Sequence, residues 1–446
     1  IKYKDNPVRK PDDSSSHSQI SVNDMVIYFR NSRRLLFFSF VKFAFLKCTL
    51  SFKIRSVTLG VPFSSEHFEC EKKFQDLTTT AIEAGNTVIS HLQRTGFEVQ
   101  TVRVSTPPFE TWLMPKGSGA TPAVDEKLQR MDSFLEANQI SFCSIGPARS
   151  PDGMELVPSI LKRYERLSAS IDVTVDDDGI IDKEAADKAA KVIVRLAEET
   201  EGGLGNFRFC ASFCCPPGIP FFPAAYANES DDITITIGLE NGDIATKAFK
   251  GAESIGAAKQ KLFKEMTQVS QSIEKVATAA CDEAGVVYGG LDTSLNPALD
   301  QEGSIAGAFE ELLGQPFGSG GTLEIAAMIT SVLKSIPTKR AGYCGLMLPP
   351  MEDLVLAQRA AESPPTYSIK DLLSYSSVCG VGLDTVPISG KVTSEEVSAL
   401  IRDVGALSHK WKKPLSCRLF PVLNTSEGNE TCFSSPYLCN TRTFPL

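Results

Sequence analysis

The sequence predicts an α/β protein built on a mainly parallel sheet. From Ile54 onward, short runs rich in Val, Ile, Phe and Thr alternate with longer stretches in which apolar residues recur every three or four positions. This alternation is typical of βα units around a parallel sheet. Hydrophobic residues make up 42% of the 446 residues, and no internal repeat or long Pro- or Ser-rich linker divides the chain after residue 54. We therefore expect residues 54–446 to form a single α/β domain.

Ten segments are predicted to be strands, because each is short, rich in β-forming residues and bounded by turn residues. In chain order they are residues 54–60, 98–105, 140–146, 170–175, 207–214, 233–240, 285–290, 343–348, 377–383 and 415–420. Strands are hard to count from one sequence, so an eight-stranded barrel is the alternative.

Four long segments are predicted to be helices. Each carries one apolar stripe, as a helix that covers one face of a sheet must. These segments are residues 70–96, 182–200, 254–285 and 394–412.

The first 53 residues differ in composition from the rest. They contain ten Lys or Arg against four acids, whereas the remainder contains 35 against 50, so the net charge of -9 divides into +6 and -15. The apolar run 35–46 includes Lys42 and is shorter than the roughly 20 residues that span a membrane. We interpret residues 1–53 as an extension foreign to the domain, disordered or an artefact of an upstream exon. A targeting or membrane-proximal segment is the alternative.

Charge and cysteine usage limit the class of protein. An acidic body argues against a nucleic-acid partner. Twelve cysteines without a CxxC pair, together with only four histidines, support neither a zinc ribbon nor a disulfide framework. We expect reduced thiols in a cytoplasmic protein, with no metal and no cofactor predicted and with no membrane partner for residues 54–446. A homo-oligomer is left open.

The segment 370–390 is the leading candidate for chemistry. Cys379 and Asp384 bracket Gly380 and Gly382, so a thiol and a carboxylate lie where the backbone can let another group approach closely. The alternative is a tight turn that carries a buried cysteine, since a free Cys often behaves as a small hydrophobe.

A second candidate is a glycine-rich loop directly before a helical pattern. Its backbone N–H groups and the positive end of the helix dipole would converge on one point, which suits an anion. The loop residues are Gly318, Ser319, Gly320, Gly321 and Thr322. The GK[ST] sequence of a P-loop is missing, so nucleotide binding is not implied. A turn capped by Ser319 or Thr322 is the alternative.

Carboxylates also occur at the ends of predicted strands. Glu240 ends one strand and Asp292 follows another, and strand ends are where a parallel barrel assembles its site. Tyr343 lies on a further predicted strand. Glu352 and Asp353 open a helix, where capping alone would explain both acids.

The body resembles a known family. The matching segments are IRSVTLG, VRVSTPPFE, PGIPFFPAAY, GLENGD, GLDTSLNP, FGSGGT, GYCGLMLPPMED, YSSVCGVGLDTVPISG and SPYLCNTR. They span residues 54–442 and are similar to the conserved proteins grouped as domain of unknown function 711, also called the UPF 210 proteins. The resemblance implies a ten-stranded, mainly parallel α/β barrel like that of pyruvate formate-lyase, with helices outside. It does not imply glycyl-radical chemistry, because the RVxGY-like residues 340–343 lie a hundred residues from the end.

From these residues we expect an enzyme that acts on a small oxygenated or anionic metabolite by acid–base or thiol chemistry, of the isomerase, cyclase, lyase or hydrolase type. The expected catalytic residues are Cys379, Asp384, Asp292 and Glu240. The substrate would be held by Arg55, Arg103, Tyr343 and the loop 318–322. The alternative is a metabolite-binding or regulatory protein in which nothing turns over.

Overall fold

The computed structural model of the chain describes residues 53–114, 122–378 and 380–446. These residues belong to one compact unit. The predicted extension, residues 1–53, lies outside the described residues except for Lys53. No helix within the described ranges is both long enough and apolar enough to cross a membrane.

Nine strands in the described part of the chain form one sheet. They are β1 (Lys53–Gly60), β2 (Val99–Ser105), β3 (Phe142–Ala148), β4 (Leu167–Asp172), β5 (Phe209–Phe213), β6 (Thr234–Glu240), β7 (Val287–Asp292), β8 (Gly382–Ser389) and β9 (Leu415–Val422). Their order in the sheet is β7-β6-β1-β2-β3-β4-β5-β9-β8. Strands β1 to β5 run parallel, whereas β6 is antiparallel to β1 and β9 is antiparallel to β5. The pairs β6–β7 and β8–β9 are again parallel. The predicted α/β class with a mainly parallel sheet is confirmed.

Thirteen α-helices and one 3₁₀ helix connect the described strands. They are α1 (Ser65–Glu69), α2 (Glu71–Arg94), α3 (Glu110–Leu113), α4 (Pro122–Ala137), α5 (Pro151–Arg163), α6 (Lys183–Glu199), the 3₁₀ helix Glu201–Arg208, α7 (Gly242–Phe249), α8 (Ile255–Ala284), α9 (Ile305–Leu313), α10 (Thr322–Ser335), α11 (Leu354–Ala361), α12 (Ile369–Val378) and α13 (Ser394–Trp411). The four long predicted helices correspond to α2, α6, α8 and α13.

Local capping explains where the longest helices begin and end. At the start of α8, the Ser254 hydroxyl accepts the Ala257 N–H, and the helix ends at Gly285, which has a φ of 67°. Helix α13 opens with a capping box between Thr393 and Glu396. These signals are local in sequence, which is why the bounds of these helices were predictable.

The predicted strand 343–348 is wrong. Only Leu346 of this segment makes a bridge, to Leu295 in the loop after β7, and a second isolated bridge joins Arg340, before the segment, to Leu291 of β7. The segment makes no continuous ladder. Gly342 and Cys344 adopt φ values of 82° and 47°, and this left-handed backbone interrupts a strand. Ten strands are therefore not present in the described residues, and closure into a barrel stays a prediction.

The predicted strand 377–383 is displaced. Residues 377 and 378 still belong to α12, and the ladder begins only at Gly382, after Gly380 and Gly382 turn the chain at φ values of 111° and 101°. Strand β8 contains Pro387, which is tolerated because β8 lies at the edge of the sheet.

The sheet is strongly curved. Arg55 on β1 and Arg418 on β9 both donate to the carboxylate of Glu352, at 3.2 and 2.6 Å. Five strand spacings separate β1 from β9, which would put them about 24 Å apart in a flat sheet. The sheet must curl for one carboxylate to meet both side chains, and the concave face that results holds the cavity described below.

The long connection between β5 and β6 packs against this concave face. Ser56 and Thr58 donate hydroxyl hydrogen bonds to the Pro220 carbonyl, and Ser144 donates to the Pro223 and Ala225 carbonyls. A buried segment outside a ladder needs such partners for its backbone. The inward Ser and Thr side chains of the strands supply them.

Asp353 caps two helices at once. Its Oδ1 accepts from the Val355 and Leu356 N–H groups at the start of α11 and from the Ser304 hydroxyl. Its Oδ2 accepts from the Ile305 N–H at the start of α9, at 2.7 Å. The expected capping role of Asp353 is therefore observed, and the two helices are fixed to each other through one buried carboxylate.

We predict that Asp353→Ala lowers the free energy of unfolding by about 2–4 kcal/mol, because two helix starts lose their acceptor and several buried donors are left unpaired. Asp182→Ala, which uncaps α6 alone, is the matched control and should cost about 1 kcal/mol. Urea denaturation followed by circular dichroism measures both. Equal losses in the two variants would contradict the double cap.

Candidate functional site

The curved sheet encloses a cavity of about 570 Å³. Its wall includes residues near the amino ends of β1 to β4 and the last residue of β6, Glu240. Further parts of the wall come from β8, β9, the loop after β7 and the β5–β6 connection. The 3₁₀ helix, the segment between α10 and α11 and the segment after β9 complete it. A volume of this size accommodates a small metabolite.

Five charged side chains form a continuous chain of ion pairs along the cavity. Arg55 bonds to Glu240 at 2.7 Å and to Glu352 at 3.2 Å. Arg418 bonds to the other oxygen of Glu352 at 2.6 Å and to Asp384 at 2.6 Å. Buried charges require such pairing, because an isolated ion in a low-dielectric interior is very costly.

A β-bulge places Arg55 in this chain. The pairing of β1 with β6 shifts register between Ile54 and Ser56, so that Arg55 is the extra residue. Ile54 and Val57 on either side are buried in the core, whereas Arg55 and Ser56 both reach groups on the concave face. A bulge can redirect a side chain in this way.

Arg418 is the most buried cation of the chain of ion pairs, with its side chain 7% exposed. Burial disfavours its charged form, but Asp384 and Glu352 more than offset this effect, and the pKa of Arg418 is raised. Its third donor group binds the Phe207 carbonyl at 3.2 Å. Arg418 therefore stays charged and fixes the positions of two carboxylates.

Arg103 differs from the other arginines of the cavity wall. It is 9% exposed, and no salt bridge joins it to a carboxylate within the described residues. Its Nε donates to Thr101 Oγ1 at 3.0 Å, and its guanidinium lies 5.1 Å from the ring centre of Phe142 and 5.3 Å from that of Phe222. Burial lowers the pKa of Arg103 to about 9, which keeps it charged at neutral pH.

Arg208 also lines the cavity but has a structural role. Its guanidinium donates to the carbonyls of Leu161, Tyr164 and Leu167, at the end of α5 and just beyond it. A cation at this position opposes the negative end of the helix dipole. Arg208 is thus occupied by protein groups, whereas the guanidinium of Arg103 lies at the cavity wall without an anionic partner.

Aromatic side chains form the rim of the cavity. The ring of Tyr437 stacks on that of Phe207 at 5.8 Å and meets the edge of Phe142 at 5.9 Å. Tyr437 belongs to the segment after β9, which folds back and is held by the hydrogen bond from Cys439 N–H to the Met351 carbonyl. The end of the chain therefore forms part of the cavity wall.

Several predicted site residues meet in this cavity. Glu240, Arg55, Arg103, Asp384 and Tyr343 all line it, although they come from separate parts of the sequence. The Tyr343 hydroxyl is buried beside Cys215, and burial raises the pKa of Tyr343 well above its usual range. The expected binding or catalytic roles of these five cavity-lining residues stay predictions.

Asp292 lies away from the cavity wall. It is fully buried, and its carboxylate accepts hydrogen bonds from the N–H and hydroxyl of Ser294 and from the N–H groups of Tyr343 and Cys344. Burial raises the pKa of Asp292, and these hydrogen bonds oppose the shift. A Cβ at Gly342 would come within 2.1 Å of its Oδ2. Asp292 thus holds the segment that carries Tyr343.

The glycine-rich loop 318–322 also lies outside the residues that line the cavity. The Gly318 N–H donates to the Thr322 hydroxyl at 3.2 Å, and that hydroxyl donates to the Ser319 carbonyl at 2.8 Å. This is the capped turn that the sequence offered as the alternative to an anion site. Gly320 and Gly321 belong to the same turn, directly before α10.

Cys379, the predicted nucleophile, lies outside the described residues. Seven of the ten free cysteines in the described ranges have a raised pKa, in each case first because of burial. Cys215 is an example, with a pKa of about 12 and a hydrogen bond to the Leu415 carbonyl. Such thiols remain protonated at neutral pH and are weak nucleophiles.

Two residues of the site were not selected from the sequence. Glu352 was explained by helix capping, but only its neighbour Asp353 caps, and Glu352 bridges Arg55 and Arg418. Arg418 lies within an apolar strand, and a charged residue in such a run is the sequence feature that could have identified it.

Within the described residues, no group of three or more His, Cys, Asp or Glu is arranged to hold a metal ion.

The fold and the cavity define an α/β protein with a buried, ion-paired site of small-molecule size. The chain belongs to the family described as Uncharacterised ACR (DUF711), whose profile matches residues 48–434. This confirms the resemblance that the sequence segments indicated.

Relatives within this family come from distant organisms. A UPF0210 protein of Desulfovibrio desulfuricans is 25% identical over 415 residues, which cover 85% of this chain and 88% of the relative. One from Pyrobaculum islandicum is 26% identical over 356 residues, covering 75% and 76%. One from Methanopyrus kandleri is 21% identical over 401 residues, covering 84% and 87%. The similarity therefore extends across most of the domain.

We predict that Arg418→Met lowers the free energy of unfolding by about 3–5 kcal/mol, because Asp384 loses its ion-pair partner and Glu352 keeps only Arg55. Adding Glu352→Gln should cost less than the sum of the two single losses, since the two groups interact directly. Chemical denaturation measures all three variants.

Arg195→Met is the control for removing an arginine. Arg195 pairs with Glu199 on the exposed face of α6, where an ion pair contributes at most about 1 kcal/mol. A loss for Arg418→Met no larger than that for Arg195→Met would show that the chain of ion pairs does not support the fold.

Proposed function

We propose that the protein binds a small anionic metabolite in the cavity, with Arg103 as the anion-binding group, and acts on it by acid–base chemistry. The observation that carries the proposal is Arg103 itself, a buried guanidinium at the cavity wall with no carboxylate partner among the described residues. The desolvation of an unpaired charge is costly, and a bound anion would compensate for it.

The carboxylates of the same cavity suit the polar part of such a ligand. Two arginines orient Glu240, Glu352 and Asp384, and Asp384 keeps one oxygen that can accept a hydrogen bond from a hydroxyl or ammonium group. Asp384 is our candidate for proton transfer, because one of its oxygens has no hydrogen-bond partner within the described residues. Tyr343 would orient the ligand.

The proposal also includes Cys379 and Asp292, each for a different reason. Cys379 as nucleophile or proton donor rests on its sequence position between Val378 and Gly380. Asp292 acts by holding the segment of Tyr343, which is a positioning role. We further propose that residues 339–347, which bridge to β7, complete the sheet as an irregular tenth segment.

We place the protein in a reducing compartment such as the cytoplasm. The support is that all ten cysteines in the described ranges are free. The alternative function is a protein that binds the metabolite without converting it. It is favoured by the raised pKa of seven of the ten described cysteines, since such thiols stay protonated at neutral pH.

We predict that Arg103→Met weakens the binding of a small anion by about 10- to 100-fold, because charge-assisted hydrogen bonds contribute roughly 1.5–3 kcal/mol each. Calorimetric titration with inorganic phosphate and with acetate measures the effect. The variant should remain folded, since replacing an unpaired buried charge by an apolar side chain removes a desolvation cost.

Arg166→Gln is the matched control, because Arg166 also lines the cavity but is paired with Asp132 and Glu136. It should leave anion affinity within about twofold of the wild type. If Arg103→Met binds both probes as tightly as the wild type, the anion site is elsewhere and the proposed function fails.

We predict that an enzyme and a binding protein respond differently to substitutions at Asp384 and Cys379. Native mass spectrometry of protein from cells identifies the small molecule that co-purifies, and its conversion is then assayed with Asp384→Asn and Cys379→Ala. If the protein is an enzyme, at least one variant loses about 100-fold or more in turnover, the usual range for removal of an acid–base group, while the ligand still binds. Changes in binding alone would support the non-catalytic alternative.

A further inference from the structure

We infer that the ligand of this cavity is a zwitterion of the α-amino-acid type, with an ammonium group opposite Asp384 and a carboxylate at Arg103. The inference rests on the proposed anion site and extends it by naming the class of ligand.

The first support is the charge balance of the chain of ion pairs. It contains three carboxylates, on Glu240, Glu352 and Asp384, but only two guanidinium groups, on Arg55 and Arg418. The chain of ion pairs therefore carries one surplus negative charge. Arg103, which has no carboxylate partner among the described residues, contributes a positive charge to the wall of the same cavity.

The second support is the location of the surplus negative charge. Both oxygens of Glu240 accept hydrogen bonds, from Arg55 and Gln100, and both oxygens of Glu352 accept from arginines. Asp384 accepts only through Oδ1, from Arg418 Nε at 2.6 Å, within the described residues. Its side chain is 13% exposed and lines the cavity, so Oδ2 is the acceptor left for a ligand.

The third support is that the two groups call for opposite charges on the ligand. A bare carboxylate would pair with Arg103 but leave the surplus negative charge of the chain of ion pairs at Asp384, and an amine without an acid would leave Arg103 without an anion. In a site of low dielectric constant, either omission is costly. A molecule with one ammonium and one carboxylate opposes both groups at once.

The size and the walls of the cavity indicate where the ligand's side chain lies. The volume of about 570 Å³ exceeds the needs of an ammonium and a carboxylate alone. The rings of Phe142, Phe207, Phe222 and Tyr437 line the same space. An apolar or aromatic side chain packs favourably against such rings, so L-phenylalanine is a suitable probe.

The test compares three probes that differ in one group: L-phenylalanine, L-3-phenyllactate and 3-phenylpropionate. Calorimetric titration of the full chain should show phenylalanine binding at least tenfold more tightly than phenylpropionate, with phenyllactate between them. The hydroxyl donates a hydrogen bond to Asp384 but does not neutralise its charge. The same ligands should raise the unfolding temperature in the same order.

Asp384→Asn removes the surplus charge and should bring phenylalanine and phenylpropionate to within about threefold of each other. Asp300→Asn is the matched control, because Asp300 also lines the cavity while its Oδ1 accepts from the Gly303 N–H. That variant should keep the preference for phenylalanine.

The outcomes separate this inference from the proposed function. If phenylpropionate binds as tightly as phenylalanine, or if none of the three probes binds, the zwitterion assignment is overturned. The same holds if the preference survives in Asp384→Asn. The anion site is judged separately by the phosphate and acetate titrations of Arg103→Met, so either proposal can fail while the other stands.

Discussion

The structure depends on one shared carboxylate. Glu352 accepts from Arg55 and from Arg418, which lie on strands five positions apart in the sheet and 297 and 66 residues away in sequence. This interaction joins the two sides of the curved sheet across its concave face. Both guanidinium groups would be costly to bury without an anion. The sheet must therefore curve far enough for both to reach Glu352, and the same curvature forms the cavity.

The guanidinium of Arg103, which has no carboxylate partner among the described residues, distinguishes the wall of this cavity. Most arginines in the interior are matched by carboxylates or by carbonyls at a helix end, as Arg418 and Arg208 show. Arg103 is surrounded instead by two phenyl rings and a threonine hydroxyl. The desolvation cost of such a group must be recovered elsewhere, and the proposed anionic ligand would do so.

Much of the fold was predictable, because strands and capped helices are encoded by nearby residues. Residues 343–348 show the limit: their β-rich composition predicts a strand, but the left-handed backbone of Cys344 depends on packing around Asp292. The site was predictable in part. Arg55, Arg103, Glu240 and Asp384 were identified as candidates, whereas Arg418 and the role of Glu352 depend on partners far away in sequence. No local pattern encodes such pairings.

The path of the final residues has a consequence for biosynthesis. Arg418 belongs to β9, the last strand of the described residues, and Tyr437 lies on the rim of the cavity in the segment that follows β9. These residues are synthesised after β1 to β5, which are by then available to pair. The pocket is therefore completed only once β8, β9 and the segment of Tyr437 have been made, and a nascent chain that still lacks them has no finished site to occupy.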